Sequence, residues 1–287
     1  MTDPNAADRD ARRARFAELV RGEPVGLAEA CLVMGGEADP GVEPGVWLAE
    51  LDRLAEAVRG KLGGPAEELE PAQAAAVLAL VLGVRAGFGG AEADYTDLRS
   101  SLLHEVLRRR RGLPILLSVV WIEVGRRAGL PVYGVALPGH FVVGVGDPDG
   151  VFVLADPFHG GRLLTVDDAR GLALGAGGSP DDPHLFAPAQ PIAVLLRILN
   201  NIRVWAQNPA QAPERAWTRL WAVELSLLLP RHPAALRRER GSLLVLTGDF
   251  LGGAAELEDF GNLVGAIDKE LAEVVRTEAR AARARLN

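Results

Sequence analysis

The sequence predicts an α+β fold in which many helices flank one small antiparallel sheet. Apolar residues recur at helical spacing through most of the 287 residues, and glycine and proline mark the breaks between segments. One short stretch, residues 132–158, changes to β-branched and aromatic runs that are typical of strands. Hydrophobic residues make up 48% of the chain, which is enough to bury a core around both kinds of element.

The N-terminal part, residues 1–70, is predicted to be a helical segment, and further helices follow up to residue 110. Asp97 is the predicted N-cap of the last of them, because a short carboxylate can accept a hydrogen bond from the first turn. The apolar periodicity places the helices at Ala11–Val20, Gly26–Met34, Val46–Leu62, Ala72–Ala86 and Leu98–Arg110.

A core domain is predicted over residues 71–175, with the helix PILLSVVWIEVGRRAG at its centre. Pro114 suits the first position of this helix, because an N–H group there would have no partner. The helix is apolar on almost every side, so we expect it to be buried. The Gly-Leu-Pro stretch at 129–131 ends it.

The strands after this helix are predicted to form a hairpin, with one further strand before it. If the connecting loop is Pro148–Gly150, with Gly150 left-handed, Asp147 pairs with Val151. His140 and Asp156 then share one face of the sheet, at a diagonal Cα separation of roughly 7–8 Å. A two-residue loop would place them on opposite faces.

The C-terminal part, residues 191–287, is predicted to be a second helical region after the flexible stretch GAGGSPDDPHLFAPAQP. The helix TVDDARGLALG precedes that stretch, with Thr165 as its N-cap. The helix-turn-helix rhythm is typical of tetratricopeptide-like units, with small residues at 241, 254 and 255 as packing positions. The predicted helices are Ile192–Gln207, Ala212–Leu229, Pro233–Leu246, Ala254–Val264 and Asp268–Leu286.

Composition excludes several classes of function. A net charge of −7 argues against binding to nucleic acid or to anionic membranes, which requires a basic face. No stretch reaches the roughly 18 apolar residues of a membrane span, so we expect a cytoplasmic protein. The single cysteine, Cys31, excludes an internal disulfide and a multi-cysteine zinc site. We predict no cofactor and no metal ion.

His140 and Asp156 are the candidate chemical pair. A carboxylate that orients an imidazole is the base half of a nucleophilic triad. The alternative is a buried hydrogen-bonded pair that fixes the register of the hairpin. His159, in the glycine-flanked loop PFHGG, is interpreted as a turn residue rather than as a metal ligand.

The block YTDLRSS to DPFHGG, residues 95–164, resembles the transglutaminase-like core of the SirB-one family of bacterial proteins. The motifs RRGLP, GLPVYGV, LPGHF and DPFHGG together carry this resemblance. It covers residues 75–165 well and the C-terminal helices more loosely. It implies a papain/transglutaminase-like core, a buried helix on a small antiparallel sheet, joined to C-terminal tetratricopeptide-like helices. The candidate binding residues around its cleft are Tyr95, Arg111, Pro114 and His159.

In active members of that superfamily a cysteine begins the buried helix, and here the matching position is Pro114. Cys31 lies far upstream, and a single cysteine with apolar neighbours is usually part of a core. Ser118, one helical turn beyond Pro114, could approach His140. A buried helical serine more often donates to the carbonyl four residues before it, here that of Pro114.

The first hypothesis is a non-catalytic transglutaminase-like protein that binds a protein or peptide through its cleft or its C-terminal helices. The family's association with bacterial regulators adds a regulatory version of this hypothesis. The alternative is a hydrolase or acyl transferase that uses Ser118 or a water molecule activated by His140, with Asp156 orienting the imidazole.

Overall fold

A computed structural model describes residues 6–207 and 212–285 of the chain. The ends of the predicted N-terminal segment and C-terminal region, at 1–5 and 286–287, lie outside the described residues, as do residues 208–211. The chain divides into two compact units. We call Gly22–Ile198 the core unit, and the residues before and after it the helical unit. The predicted α+β fold is confirmed.

The core unit contains one sheet and the helices around it. Its four antiparallel strands have the order β1-β2-β3-β4. The strands are β1 (Val132–Val135), β2 (Val142–Gly146), β3 (Phe152–Asp156) and β4 (Arg162–Leu164). The helices are α2 (Leu27–Ala38), α3 (Pro44–Arg59), α4 (Pro71–Leu78, continued by a π-helical segment Ala79–Arg85), α5 (Leu103–Arg109), α6 (Pro114–Arg127) and α7 (Val166–Gly175), and α8 (Pro191–Ala206) begins in this unit.

Helix α6 is the buried centre of the core unit. Pro114 is its first residue, as predicted, and Leu113 before it is in an extended conformation. Nearly all of its side chains from Pro114 to Gly125 are buried. The helix packs on α3 and on strands β1 and β2, which explains why its sequence carries almost no polar side.

The predicted register of the hairpin is confirmed, because Val143 pairs with Ala155. The Asp147 N–H donates to the Val151 carbonyl at 3.0 Å. Gly150 was the wrong position for the left-handed residue: Gly146, at the end of β2, has a φ of +119°. Strand β4 was not predicted, because its three residues are too short to show an alternating pattern.

The sheet is buried on both faces. On one face, Val142, Leu154 and Leu164 form an apolar cluster with Ala169 and Ala173 of α7. Helices α4 and α6 pack on the sheet as well. Side chains alternate along a strand, so Asp156 shares the α7 face with Leu154, two residues before it.

The predicted helix Leu98–Arg110 is two elements. Asp97 does act as an N-cap, but of a 3₁₀ turn, Leu98–Ser101, where its carboxylate accepts the Arg99 N–H. Leu102 is extended, and α5 starts after it. Tertiary contacts cause the break, because the Ser100 carbonyl accepts the Leu113 N–H instead of continuing a helix.

Asp94 holds this broken segment in place. Its buried carboxylate accepts hydrogen bonds from the Ser100 hydroxyl at 2.8 Å and from the Ala91 N–H at 2.8 Å. Arg111 donates to both of its oxygens, at 3.0 and 3.1 Å. Burial alone would raise the pKa of Asp94, but these hydrogen bonds outweigh it and hold the pKa below its ordinary value.

The helical unit consists of α1 (Ala6–Leu19), α9 (Ala212–Leu228), α10 (Ala235–Leu246), α11 (Phe250–Val264) and α12 (Lys269–Ala284), with the end of α8. Helices α10 and α11 approach closely at Gly241 and Gly253, where a Cβ on either residue would meet the other's carbonyl oxygen, at 3.2 and 2.7 Å. Ala254 is buried and Ala255 is exposed. The tetratricopeptide-like character of these helices stays a prediction. Within the described residues, no helix combines the length and apolarity that crossing a membrane requires.

Replacing Asp94 by asparagine should lower the free energy of unfolding by about 2–3 kcal/mol near neutral pH, because Arg111 loses its charged partner. The pKa of Asp94 is lower in the folded state than its ordinary value of 3.8. The stabilisation of the folded state by the Asp94 carboxylate is therefore fully present above the ordinary pKa, and it is lost as the pH falls through the folded-state pKa.

Urea unfolding from about pH 7 down to about pH 3 measures this effect. The difference between wild type and Asp94→Asn should shrink on acidification. Asp259→Asn, at an exposed position of α11, is the control and should change stability by less than about 0.5 kcal/mol. A difference for Asp94→Asn that is independent of pH would contradict the assigned ion pair.

Candidate functional site

His140 is presented by a tight turn between β1 and β2. Pro138 and Gly139 are the two central residues of this turn, which the His140 N–H closes by donating to the Leu137 carbonyl at 3.2 Å. Gly139 has a φ of +68°, a value that favours glycine at this position of a type II turn. The Pro-Gly pair therefore fixes the conformation of the turn and, with it, the position of His140.

Arg197 of α8 fixes this turn from outside it. One guanidinium nitrogen, Nη2, donates to the carbonyls of Leu137 at 3.1 Å and His140 at 2.9 Å. The guanidinium also lies over the Phe141 ring, 5.5 Å from its centroid. Burial lowers the pKa of Arg197 from its ordinary value. The sequence reasoning missed this residue; its one signal was a single arginine inside the apolar run PIAVLLRIL.

Asp156 ends β3 and is only 1% exposed. Its Oδ2 lies 3.0 Å from Nε2 of His140 and 2.7 Å from Nδ1 of His159, and its Oδ1 accepts the Phe158 N–H at 3.0 Å. A carboxylate only accepts hydrogen bonds, so both imidazole nitrogens carry a proton in this arrangement. Burial alone would raise the pKa of Asp156, but the bonds from the two histidines hold it below the ordinary value.

His159 lies on a 3₁₀ turn, Pro157–His159, that directly follows β3. It is a turn residue, as interpreted from the sequence, but its ring also contacts Asp156, which that interpretation missed. The spacing Asp-Pro-Phe-His was the available signal, because a turn brings residues three apart together. One donor atom each from His140, Asp156 and His159 lies within 4.8 Å of the other two.

A cavity of about 380 Å³ opens beside these three residues. Tyr95 borders it and is 52% exposed, and its ring packs against the Phe158 ring with the centroids 5.9 Å apart. Burial raises the pKa of Tyr95, and so does the nearby charge of Asp156, while Arg197 opposes the shift. The lining residues are Tyr95, Pro138, Gly139, His140, Asp156, Phe158, His159, Arg162, Gly171, Leu172, Gly175 and Ala176.

The two residues considered as nucleophiles lie elsewhere. Ser118 is fully buried, and its hydroxyl donates to the Phe141 carbonyl at 3.4 Å rather than to that of Pro114. Neither Ser118 nor Pro114 lines the cavity. Cys31 is buried in α2, where burial and, to a smaller extent, Glu123 raise the pKa of its thiol far above the ordinary value.

Arg111 does not border the cavity. Its guanidinium donates to the Asp94 carboxylate instead. The other arginines of its cluster also have acidic partners in the core unit: Arg108 pairs with Glu105, Arg109 with Asp97 and Arg110 with Glu50. The cluster therefore forms internal ion pairs rather than an open anion site.

The sequence profile of the transglutaminase-like superfamily matches residues 46–200. A UPF0162 protein of Xylella fastidiosa is 38% identical over 182 residues, which cover 61% of this chain and 62% of that protein. The UPF0162 protein of Pseudomonas aeruginosa is 35% identical over 185 residues, 63% of this chain and 65% of that protein. F-box only protein 21 of Mus musculus is 30% identical over 122 residues, 40% of this chain and 19% of that protein. The matched part thus spans less than two thirds of the length of the bacterial relatives.

Arg197→Met should destabilise the protein by about 2–3 kcal/mol, because two carbonyls of the turn lose their donor. It should also shift the imidazole NMR signals of His140, since the turn that presents the ring is released. Urea unfolding and imidazole spectra measure the two effects. Arg170→Met, an exposed arginine of α7, is the control and should change neither. Unchanged His140 signals in Arg197→Met would show that Arg197 does not position this turn.

Proposed function

The chain belongs to the transglutaminase-like superfamily, and we propose that it acts there as a non-catalytic module that binds a protein or peptide segment in the cavity beside His140. Its assignment to the SirB-one family, the tetratricopeptide-like character of its C-terminal helices and a regulatory role belong to the same proposal.

One observation carries the proposal: the residues that line the cavity include no cysteine, serine or threonine. Covalent catalysis at this site needs a side-chain nucleophile within hydrogen-bond reach of the imidazole. The resemblance assigns the thiol position to Pro114, which has no nucleophilic atom. The buried thiol of Cys31 and the buried hydroxyl of Ser118 do not border the cavity.

The cavity itself suits a segment of a protein. Its volume of about 380 Å³ lies in the range of about 300–1,000 Å³ that is typical of ligand sites. Its lining combines apolar surface from Tyr95, Phe158 and Leu172 with the polar groups of His140 and His159. An apolar side chain of the ligand can pack on the apolar surface, while its backbone or a carboxylate meets the imidazoles.

A second candidate is a hydrolase in which His140 activates a water molecule. The observation that favours it is the 3.0 Å bond from Nε2 of His140 to Asp156, which is the geometry that orients a catalytic base. Nδ1 of His140 would then be the basic atom. This candidate needs a substrate that a water molecule can attack without a covalent intermediate.

Covalent probes distinguish the two candidates from nucleophilic catalysis. A fluorophosphonate and iodoacetamide should leave Ser118 and Cys31 of the folded protein unlabelled, because both side chains are buried. The unfolded protein should be labelled by iodoacetamide at Cys31, which serves as the positive control. Mass spectrometry of the labelled peptides gives the result. Labelling of Ser118 in the folded wild type, lost in His140→Ala, would refute the non-catalytic proposal.

Selection from a library of random peptides tests the binding site. Peptides selected on the full chain should bind Tyr95→Ala and Leu172→Asp at least about 10-fold more weakly than wild type, because both changes remove apolar surface of the cavity. Fluorescence anisotropy measures the dissociation constants. The matched control is Leu251→Asp, an exposed apolar position on α11. Peptides that lose affinity for Leu251→Asp alone would place binding on the C-terminal helices instead.

A further inference from the structure

We propose that His140, Asp156 and His159 form a three-ligand site for a divalent transition-metal ion such as zinc. The site goes beyond the proposed binding of a peptide and does not depend on it, because it is defined by three side chains of the free chain.

Two of the three distances between the donor atoms are already close to the required spacing. Ligands about 2.0–2.2 Å from a tetrahedral zinc ion lie about 3.3 Å from one another. Oδ2 of Asp156 is 3.0 Å from Nε2 of His140 and 2.7 Å from Nδ1 of His159, and all three atoms lie within 4.8 Å. An ion that replaces the two imidazole protons would widen the first two distances by a few tenths of an ångström and would bring the two imidazole nitrogens closer together, by up to about 1.5 Å.

The element that must adjust can do so. His159 is the one exposed ligand, with 55% of its side chain accessible, on a short turn between two strands. His140 and Asp156 are held more firmly, by the Pro-Gly turn and by the end of β3. The ion would therefore bind to the more firmly held pair, and the exposed third ligand would complete the site.

The donor set fits this class of ion. Two imidazoles and one carboxylate suit zinc or ferrous iron, which accept nitrogen and oxygen ligands together. Oδ1 of Asp156 accepts the Phe158 N–H at 3.0 Å, which orients the carboxylate and leaves Oδ2 as the metal ligand. The three residues line the cavity, so a further coordination position would open towards a water molecule or an oxygen atom of a ligand.

The second histidine is the feature that a pair of one catalytic imidazole and one carboxylate does not explain. One imidazole is sufficient for a carboxylate to orient a catalytic base or to fix a hairpin. Here a second imidazole, from a different element, meets the same oxygen atom at the shorter distance of 2.7 Å. A shared metal ion accounts for the convergence of both rings on Oδ2.

Calorimetric titration of the EDTA-treated full chain with zinc tests the proposal. Wild type should bind one equivalent, and His159→Ala should weaken the binding by more than about 100-fold, because one of three ligands is lost. His184→Ala, which removes an exposed histidine of the core unit outside the cavity, is the matched control and should bind like wild type. Cobalt should give a visible absorption spectrum in wild type that is absent in His159→Ala.

The half-exposed position of His159 makes its variant the decisive one, since Asp156→Asn and His140→Ala change buried groups and can fail to fold. Circular dichroism checks that His159→Ala is folded. Equal zinc affinity of wild type and folded His159→Ala, or no binding by wild type, would overturn the metal site. Neither result would bear on the selected peptides, whose binding is measured without zinc.

Discussion

The carboxylate of Asp156 is almost completely removed from water, and this burial is the constraint around which the site is built. A buried carboxylate is costly unless hydrogen bonds or charges compensate it. In this chain the compensation comes from two imidazoles and one backbone N–H. The Pro-Gly turn and the 3₁₀ turn after β3 bring the two imidazoles to this group.

A comparison with Asp94 shows what is particular about this arrangement. Asp94 is also buried, but Arg111 donates to both of its oxygens and keeps a permanent positive charge. Such a pair is inert and holds the chain segment between Ala91 and Ser100. Asp156 meets two imidazoles instead, the side chain that proteins use most often in catalysis and as a metal ligand. The Asp94 carboxylate stabilises the fold, whereas the Asp156 carboxylate lies beside two side chains that a binding or chemical site can use.

The residues that line the cavity include none from helix α6, at whose start the resemblance places the thiol of active members. Helix α6 is buried against the sheet and α3, and its Ser118 hydroxyl donates a hydrogen bond to the Phe141 carbonyl. The cavity is bordered instead by the 3₁₀ turn after β3, by the Pro-Gly turn and by α7. The lining of the cavity combines an oriented imidazole with the absence of cysteine, serine and threonine, and the binding proposal rests on this combination.

The sequence by itself determined the elements whose causes are local. Helical periodicity and a proline at its first position identified α6, and the loop DPDG limited the hairpin to two registers, of which the three-residue loop brings His140 towards Asp156. The tertiary structure decided what depends on distant partners: the break at Leu102, the bond from Ser118 to Phe141, the capture of Arg111 by Asp94, and the contacts of Arg197 and His159. Periodicity and turn composition report only on neighbours along the chain. A buried polar group takes its partner from whichever element the packing places beside it, and that choice is made only when the chain has folded.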